Sequence, residues 1–142
     1  MIDPRTAPYA ATVLRLSLGA MFIAHSLLLK YFTFTLPGTV QFFESLGLPG
    51  ALAYLTFWAE LVGGVLLVAG VASRWVALAL VPILLGALWV HAGNGWVFSA
   101  RNGGWEYPVF LIAASFAQAL LGDGRYALAS VFKARNLQGA YA

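Results

Sequence analysis

Two charged side chains, Arg15 and Glu60, lie inside long apolar stretches of this sequence. A charge at the centre of a membrane helix costs at least about 2.5 kcal/mol, so such residues face the interior of a helix bundle, where they pair or serve a function. Arg15 lies about six residues into the first stretch and Glu60 near the middle of the second, which places them roughly 6–8 Å apart in depth in antiparallel helices. The sequence therefore predicts an Arg15–Glu60 charge pair. This pair either only holds the two helices together or also has a function, and both interpretations stay open.

Five further polar side chains fall at the ends of the apolar stretches: His25, Lys30, His91, Glu106 and Tyr107. If these ends meet at one membrane face, imidazole and carboxylate groups could bind a quinone headgroup and exchange protons with it. Two histidines and a carboxylate also form an open metal site, which makes His25, His91 and Glu106 alternative metal ligands. No HxxxH or HExxH spacing supports that alternative, so no metal site is predicted. A third interpretation is a set of polar residues at a wet membrane face, without chemistry.

The composition requires a membrane to position these residues. Hydrophobic residues make up 61% of the chain and charged residues 9%, whereas soluble domains average about 45–50% apolar and about 25% charged residues. A disordered chain would need the opposite composition. The absence of cysteine excludes disulfide scaffolds, thiolate metal sites and thiol nucleophiles. The sequence predicts a single membrane domain over 1–142, whose partner is the lipid bilayer and not nucleic acid.

Four apolar stretches predict four membrane-spanning helices, over about 9–29, 52–72, 75–90 and 107–121. The first two have the roughly 20 residues that cross a hydrocarbon core, and the last two are shorter. Between the first two, Val40, Phe43 and Leu46 recur at helical spacing, which predicts a short amphipathic helix in the membrane interface. The expected fold is an all-α bundle of four transmembrane helices with that interfacial helix between helices 1 and 2. A polar cytoplasmic tail is expected over 122–142.

The distribution of Lys and Arg predicts the orientation of the bundle. The side that holds both chain ends and the short loop after the second span carries Arg5, Arg74, Arg125, Lys133 and Arg135, and the other side carries Lys30 and Arg101. The positive-inside rule then places both termini in the cytoplasm of a multi-pass inner-membrane protein. The histidines and Glu106 are accordingly expected at the periplasmic face.

The order and spacing of several short motifs resemble the DoxX family of small four-span bacterial membrane proteins. Besides His25 and Lys30, the motifs are RLSLG (15–19), FFESLGLP (42–49), AELVGG (59–64), HAGNG (91–95), GGWEYP (103–108) and GDGRY (122–126). They span most of the chain from about residue 12 to 129. One departure is Ser26, which stands where the family usually has glycine and predicts a different bend or pocket wall there.

The resemblance implies a four-helix membrane bundle and favours a function in quinone-linked redox chemistry. The family takes its name from a subunit of a terminal quinol oxidase, and related membrane proteins act in thiosulfate:quinone oxidoreduction. The first functional hypothesis is therefore a redox-associated membrane subunit that binds a quinone or other small molecule in a periplasmic pocket. Its ligand-binding candidates are the five polar residues at the span ends.

The second hypothesis is a non-catalytic scaffold for a redox or stress-response complex. Whether the chain is itself catalytic, as a subunit of a quinone-linked oxidoreductase, stays open, because the sequence offers no electron carrier of its own. Electrons would have to come from a partner subunit or from the bound substrate. The small residues Ala59 and Gly63 permit close helix packing, either within the chain or in a homo-oligomer.

Overall fold

The computed structural model describes residues 3–130, and within this range every regular element is a helix. Helix α1 (Ala7–Ile23) continues directly as a π-helix over Ala24–Thr33. The other long elements are α2 (Leu36–Ser45), α3 (Ala51–Ala69), α4 (Ser73–His91) and α5 (Glu106–Leu121). A single 3-10 turn over Ala92–Asn94 follows α4. The predicted all-α membrane bundle is confirmed, and residues 131–142, most of the predicted tail, lie outside the described residues.

The bundle buries polar side chains and exposes large apolar ones, as a lipid solvent requires. Arg15 is only 1% exposed and Gln118 is fully buried, whereas Leu120 is 82% exposed. Ala7–Thr33, α3 and the segment Ser73–Asn94 are long and apolar enough to cross a membrane, and α5 is apolar but shorter, at 16 residues. These bounds agree with the four predicted spans to within a few residues at most ends.

Glycines allow α1 and α3 to pack closely where the two helices cross. A Cβ atom added to Gly19 would lie 2.8 Å from the carbonyl oxygen of Gly64, and one added to Gly64 would lie 2.9 Å from that of Gly19. Only a residue without a side chain fits on either side of this contact. Leu18, Phe22, Leu67, Leu80 and Leu111 form the apolar core next to the crossing.

The turn between α3 and α4 depends on Gly70, whose φ of +72° is in the left-handed region that favours glycine. The amide groups of Gly70 and Val71 donate to the last carbonyls of α3 and end that helix. With two residues between Gly70 and Ser73, the chain reverses at once, so α3 and α4 are antiparallel neighbours.

Helix α2 is the short amphipathic helix predicted between the first two spans. Thr35 starts it, because its hydroxyl accepts a hydrogen bond from the Gly38 amide at 3.2 Å. Val40, Phe43 and Leu46 are half-buried, while Gln41, Glu44 and Ser45 are exposed. The predicted polar and apolar faces are therefore present. Its position in a membrane interface stays a prediction.

Candidate functional site

The π-helix carries two of the predicted site residues, His25 and Lys30, at the end of the bundle that also holds Glu106, called here the Glu106 end. In this segment hydrogen bonds run from residue i to i+5, so side chains five positions apart lie one above the other. His25 and Lys30 have this spacing, whereas an α-helix would turn them about 140° apart. Long π-helical segments are rare and frequently accompany functional sites. No motif or hydropathy pattern in these residues indicates the change of helix type.

Ser26, the departure from the family motifs, uses its hydroxyl to join the π-helix to α3. The side chain is fully buried, and Oγ donates to the carbonyl oxygen of Phe57 at 2.9 Å. Its polar group is thus satisfied inside the bundle, so the serine adds an interhelical hydrogen bond at this position.

Glu60 pairs with Lys30 and not with Arg15. Lys30 Nζ lies 2.6 Å from Glu60 Oε2, and the two side chains are 17% and 6% exposed. The predicted Arg15–Glu60 salt bridge is therefore wrong. The physical reason is depth: the carbonyls that Arg15 reaches, at residues 67 and 68, lie about 10 Å along α3 from the level of Glu60.

Arg15 binds the carboxyl-terminal end of α3. Its Nη1 donates to the carbonyl oxygens of Leu67 and Val68 at 2.9 and 2.8 Å, and its Nη2 reaches the carbonyl oxygen of Arg125 at 3.5 Å. The last carbonyls of a helix lack intrahelical partners and carry the negative end of the helix dipole, so a guanidinium satisfies both their hydrogen bonding and their charge. Arg15 is a helix cap supplied from a neighbouring helix.

Further buried polar side chains, which are not among the predicted site residues, lie at this same end of the bundle, called here the Arg15 end. Ser73, Ser115 and Gln118 are fully buried. Asp123 Oδ1 accepts the Ser73 amide at 2.7 Å and so caps α4. Gln118 could have been selected from the sequence, because it is an amide side chain within an otherwise apolar helix. Single polar residues, however, are common in such helices.

At the Glu106 end, His25 contacts the aromatic ring of Tyr107, with centroids 5.8 Å apart and planes inclined by 52°. The Tyr107 hydroxyl is buried and has no hydrogen-bond partner within residues 3–130. Tyr107 also packs against the apolar core. The π-helix and α5 thus bring two of the predicted site residues into contact.

His91 holds the loop between α4 and α5. Its Nδ1 lies 3.0 Å from the carbonyl oxygen of Asn102 and 3.1 Å from that of Gly103. Because carbonyl oxygens only accept, Nδ1 carries the proton and donates. Asn94 adds a hydrogen bond from its amide to the Asn102 carbonyl oxygen at 3.0 Å. His91 therefore positions the loop.

Glu106 connects the loop to α5 and borders an open groove. Its Oε1 accepts the amide of Phe98 at 2.8 Å, and its own amide donates to the carbonyl oxygen of Trp96 at 3.0 Å. The groove, called here the Glu106 groove, has a volume of about 510 Å³ and is lined by Trp96, Phe98, Glu106, Tyr107, Val109, Phe110 and Ala113. Sites for small molecules occupy roughly 300–1,000 Å³ and are mostly apolar with a few polar groups.

The structure therefore divides the five predicted site residues among separate local arrangements. Glu106 and Tyr107 share the groove, and the His25 ring contacts the Tyr107 ring. Lys30 is held by Glu60, and His91 is held by the loop. Within residues 3–130, no three His, Cys, Asp or Glu side chains lie close enough to hold a metal ion, so the alternative metal triad does not assemble there. The aromatic groove walls Phe98 and Phe110 were missed, because exposed aromatics are ordinary in membrane proteins.

Comparison with known proteins gives two matches. The sequence profile of the family described as DoxX matches residues 10–93. A curated protein of Bacillus subtilis strain 168, named "Putative oxidoreductase CatD", is 35% identical over 125 residues, which cover 87% of this chain and 88% of that protein. No solved structure matches significantly.

Proposed function

The chain belongs to the DoxX family, and we propose that it is a redox-associated membrane subunit that binds a quinone in the Glu106 groove. The observation that carries the proposal is the chemistry of this groove. Its walls are aromatic and aliphatic, and Glu106 is the one carboxylate among its lining residues.

A quinone has a flat, polar ring and an apolar tail, and the groove offers a complement to each. Trp96 and Tyr107 present aromatic surfaces beside the Glu106 carboxylate, where a ring could stack. Phe110 is 67% exposed and leads toward the lipid side of α5, where a tail would extend. Glu106 uses Oε1 for the loop, and Oε2 has no hydrogen bond within the described part of the chain. That second oxygen is the group available to a ligand.

The electrons for quinone chemistry come, in this proposal, from a partner protein. The sequence contains no cysteine and has no nucleotide-binding fingerprint. The chain's contribution is to bind the ring, exclude water from its aromatic faces and exchange protons at Glu106. The name of the Bacillus subtilis relative, an oxidoreductase, favours this class of reaction.

The orientation follows from charge and is part of the proposal. Both termini lie in the cytoplasm, and the Glu106 groove opens at the periplasmic face of the inner membrane. Because the chain lacks cysteine, single cysteines at the exposed Ser99 and Ser130 can be tested with a membrane-impermeant maleimide on intact spheroplasts. Labelling of Ser99→Cys alone is expected, and labelling of Ser130→Cys alone would reverse the orientation.

The scaffold hypothesis has a specific observation in its favour. Lys30, His91 and one oxygen of Glu106 are all bound within the chain, so these polar groups have a structural role without any ligand. The two hypotheses differ in the effect of groove variants. A scaffold keeps its partner when the groove is altered, whereas a quinone site loses its ligand.

Two phenylalanines on α5 give a matched test of the groove. Phe110 lines the Glu106 groove, and Phe116 lines a second groove at the other end of α4 and α5. In purified protein reconstituted into nanodiscs, the affinity for decylubiquinone is expected to fall about tenfold in Phe110→Ala, which corresponds to about 1.4 kcal/mol of lost contact. Phe116→Ala is expected to bind like the wild type. Equal affinity in both variants, or no saturable binding in the wild type, would exclude the proposal.

A further inference from the structure

A second groove lies between α4 and α5 at the Arg15 end of the bundle. Its volume is about 320 Å³, and it is lined by Arg74, Trp75, Leu78, Phe116, Ala119 and Leu120. All lining residues except Arg74 are apolar or aromatic. We call it the Arg74 groove, and the quinone proposal makes no use of it.

Arg74 and Trp75 place one end of this groove at the membrane boundary. Both belong to the first turn of α4, and Ala119 and Leu120 belong to the last turn of α5. Trp75 is 69% exposed, as expected for an aromatic ring at the level of the lipid headgroups. From this end the apolar walls run inward along the two helices, past Leu78 and Phe116.

The charge of Arg74 has no partner within residues 3–130. The one salt bridge in this range joins Lys30 to Glu60. Asp123 is the carboxylate at this turn, but its Oδ1 accepts the Ser73 amide and it lies beyond ion-pair distance of Arg74. A guanidinium at the amino-terminal turn of α4 is also unfavourable with respect to that helix's dipole, which favours anions there. An anion beside Arg74 would neutralise the guanidinium and would also interact favourably with the positive end of the α4 dipole.

We propose that the Arg74 groove binds an anionic phospholipid, with one acyl chain along the apolar walls and the phosphate paired with Arg74. A phosphate accepts two parallel hydrogen bonds from a guanidinium. The phosphate of a zwitterionic lipid is a weaker partner for Arg74, because the lipid's own ammonium group competes for it. Basic sites between membrane helices on the cytoplasmic side are typical positions for anionic headgroups. The charge of Arg74 and the apolar depth of the groove together match a lipid and not a free phosphate ion.

The test compares palmitoyl-oleoyl phosphatidylglycerol with palmitoyl-oleoyl phosphatidylcholine. Each lipid is titrated into delipidated protein in detergent, and bound lipid is counted by native mass spectrometry. The wild type is expected to bind phosphatidylglycerol roughly tenfold more tightly, and Arg74→Gln is expected to reduce this preference to about twofold or less. Arg101→Gln, which removes an exposed arginine from the opposite end, is the matched control and should keep the full preference.

A groove variant separates binding in the groove from charge attraction at the surface. Phe116→Ala removes one wall and is expected to weaken retention of both lipids, while Phe110→Ala leaves retention unchanged. Equal affinity of the wild type for the two lipids would overturn the proposal. So would a preference that persists in Arg74→Gln, or a Phe116→Ala variant that retains lipid like the wild type. A concentration-dependent dimer that Phe116→Ala abolishes, without lipid selectivity, would assign the groove to a second copy of the chain instead.

Discussion

The segment after α5 closes over Arg15 on the α1 and α3 side of the bundle, whereas Glu106, at the other end, borders an open groove. At the Arg15 end, the Arg125 amide donates to the carbonyl oxygen of Pro8, and the Ala129 amide donates to that of Gly70. The Thr12 hydroxyl donates to the Arg125 carbonyl oxygen at 2.7 Å. At the Glu106 end the loop between α4 and α5 folds on itself, with Trp96 packed edge-on against Trp105 at 4.4 Å.

The contrast shows how two polar ends of one bundle can serve different purposes. Arg15 has its hydrogen bonds inside the chain, to carbonyls that need a donor, and it is 1% exposed. Glu106 is half-buried, bonds through one oxygen and borders open space. A charge closed in on all sides stabilises a fold, and a charge beside an open apolar groove can meet a ligand.

Replacing Arg15 gives the largest expected effect. Arg15→Ala leaves the Val68 carbonyl without its donor in a low-dielectric interior and the Leu67 carbonyl with the Gly70 amide alone, which should lower the free energy of unfolding by about 3 kcal/mol. Thermal denaturation in detergent, followed by circular dichroism, measures the change. The exposed Arg5 supplies the control, and Arg5→Ala should melt within a degree or two of the wild type. Equal melting temperatures of Arg15→Ala and Arg5→Ala would mean that the buried Arg15 stabilises the bundle no more than an exposed arginine does.

The Lys30–Glu60 pair should give an intermediate effect. Glu60→Gln leaves Lys30 without its countercharge and should destabilise by roughly 1–2 kcal/mol, because Lys30 is partly exposed and can reach the interface. A double-mutant cycle with Lys30→Gln measures the coupling directly. The double variant should be more stable than the sum of the two single effects predicts. Strict additivity would mean that the pair contributes nothing to the bundle.

The smallest change in global stability is expected for His91. His91→Ala removes the hydrogen bond that holds the carbonyls of Asn102 and Gly103, at a cost of about 1 kcal/mol that falls mainly on the loop. Hydrogen exchange should therefore quicken about fivefold for amides over 95–105 and stay unchanged at the Arg15 end. Exposed Ser99 provides the control as Ser99→Ala. Uniform acceleration across the chain would show that His91 supports the whole bundle.

The sequence predicted the helices far better than the pairing of their side chains. Apolar stretches and the Val40, Phe43 and Leu46 spacing located every long helix, because lipid imposes a simple rule on composition and length. Helical rise alone could not select the partner of Glu60. Lys30 lies beside Glu60 because it belongs to a π-helix, and hydropathy does not distinguish a π-helix from an α-helix. Arg15 donates to backbone carbonyls, and because every residue has one, no sequence motif identifies them as its partners.

The candidate site was predicted in part for the same reason. Glu106 and Tyr107 were selected as polar residues at the start of a span, and they do border the groove. His91 was selected by residue type, but its imidazole binds loop carbonyls. The groove itself depends on the loop's three-dimensional path. Gly104 is essential to that path, since a Cβ there would collide with the backbone of Trp96 and Val97.

Photoaffinity labelling with an azido-quinone would show whether the Glu106 groove binds the quinone ring. The protein is labelled in nanodiscs and the modified peptides are mapped by mass spectrometry, with excess decylubiquinone as competitor. Competable labelling is expected within 96–113, around Trp96 and Phe110. Competable labelling at the Arg74 groove instead, or labelling that decylubiquinone does not reduce, would contradict the proposed quinone site.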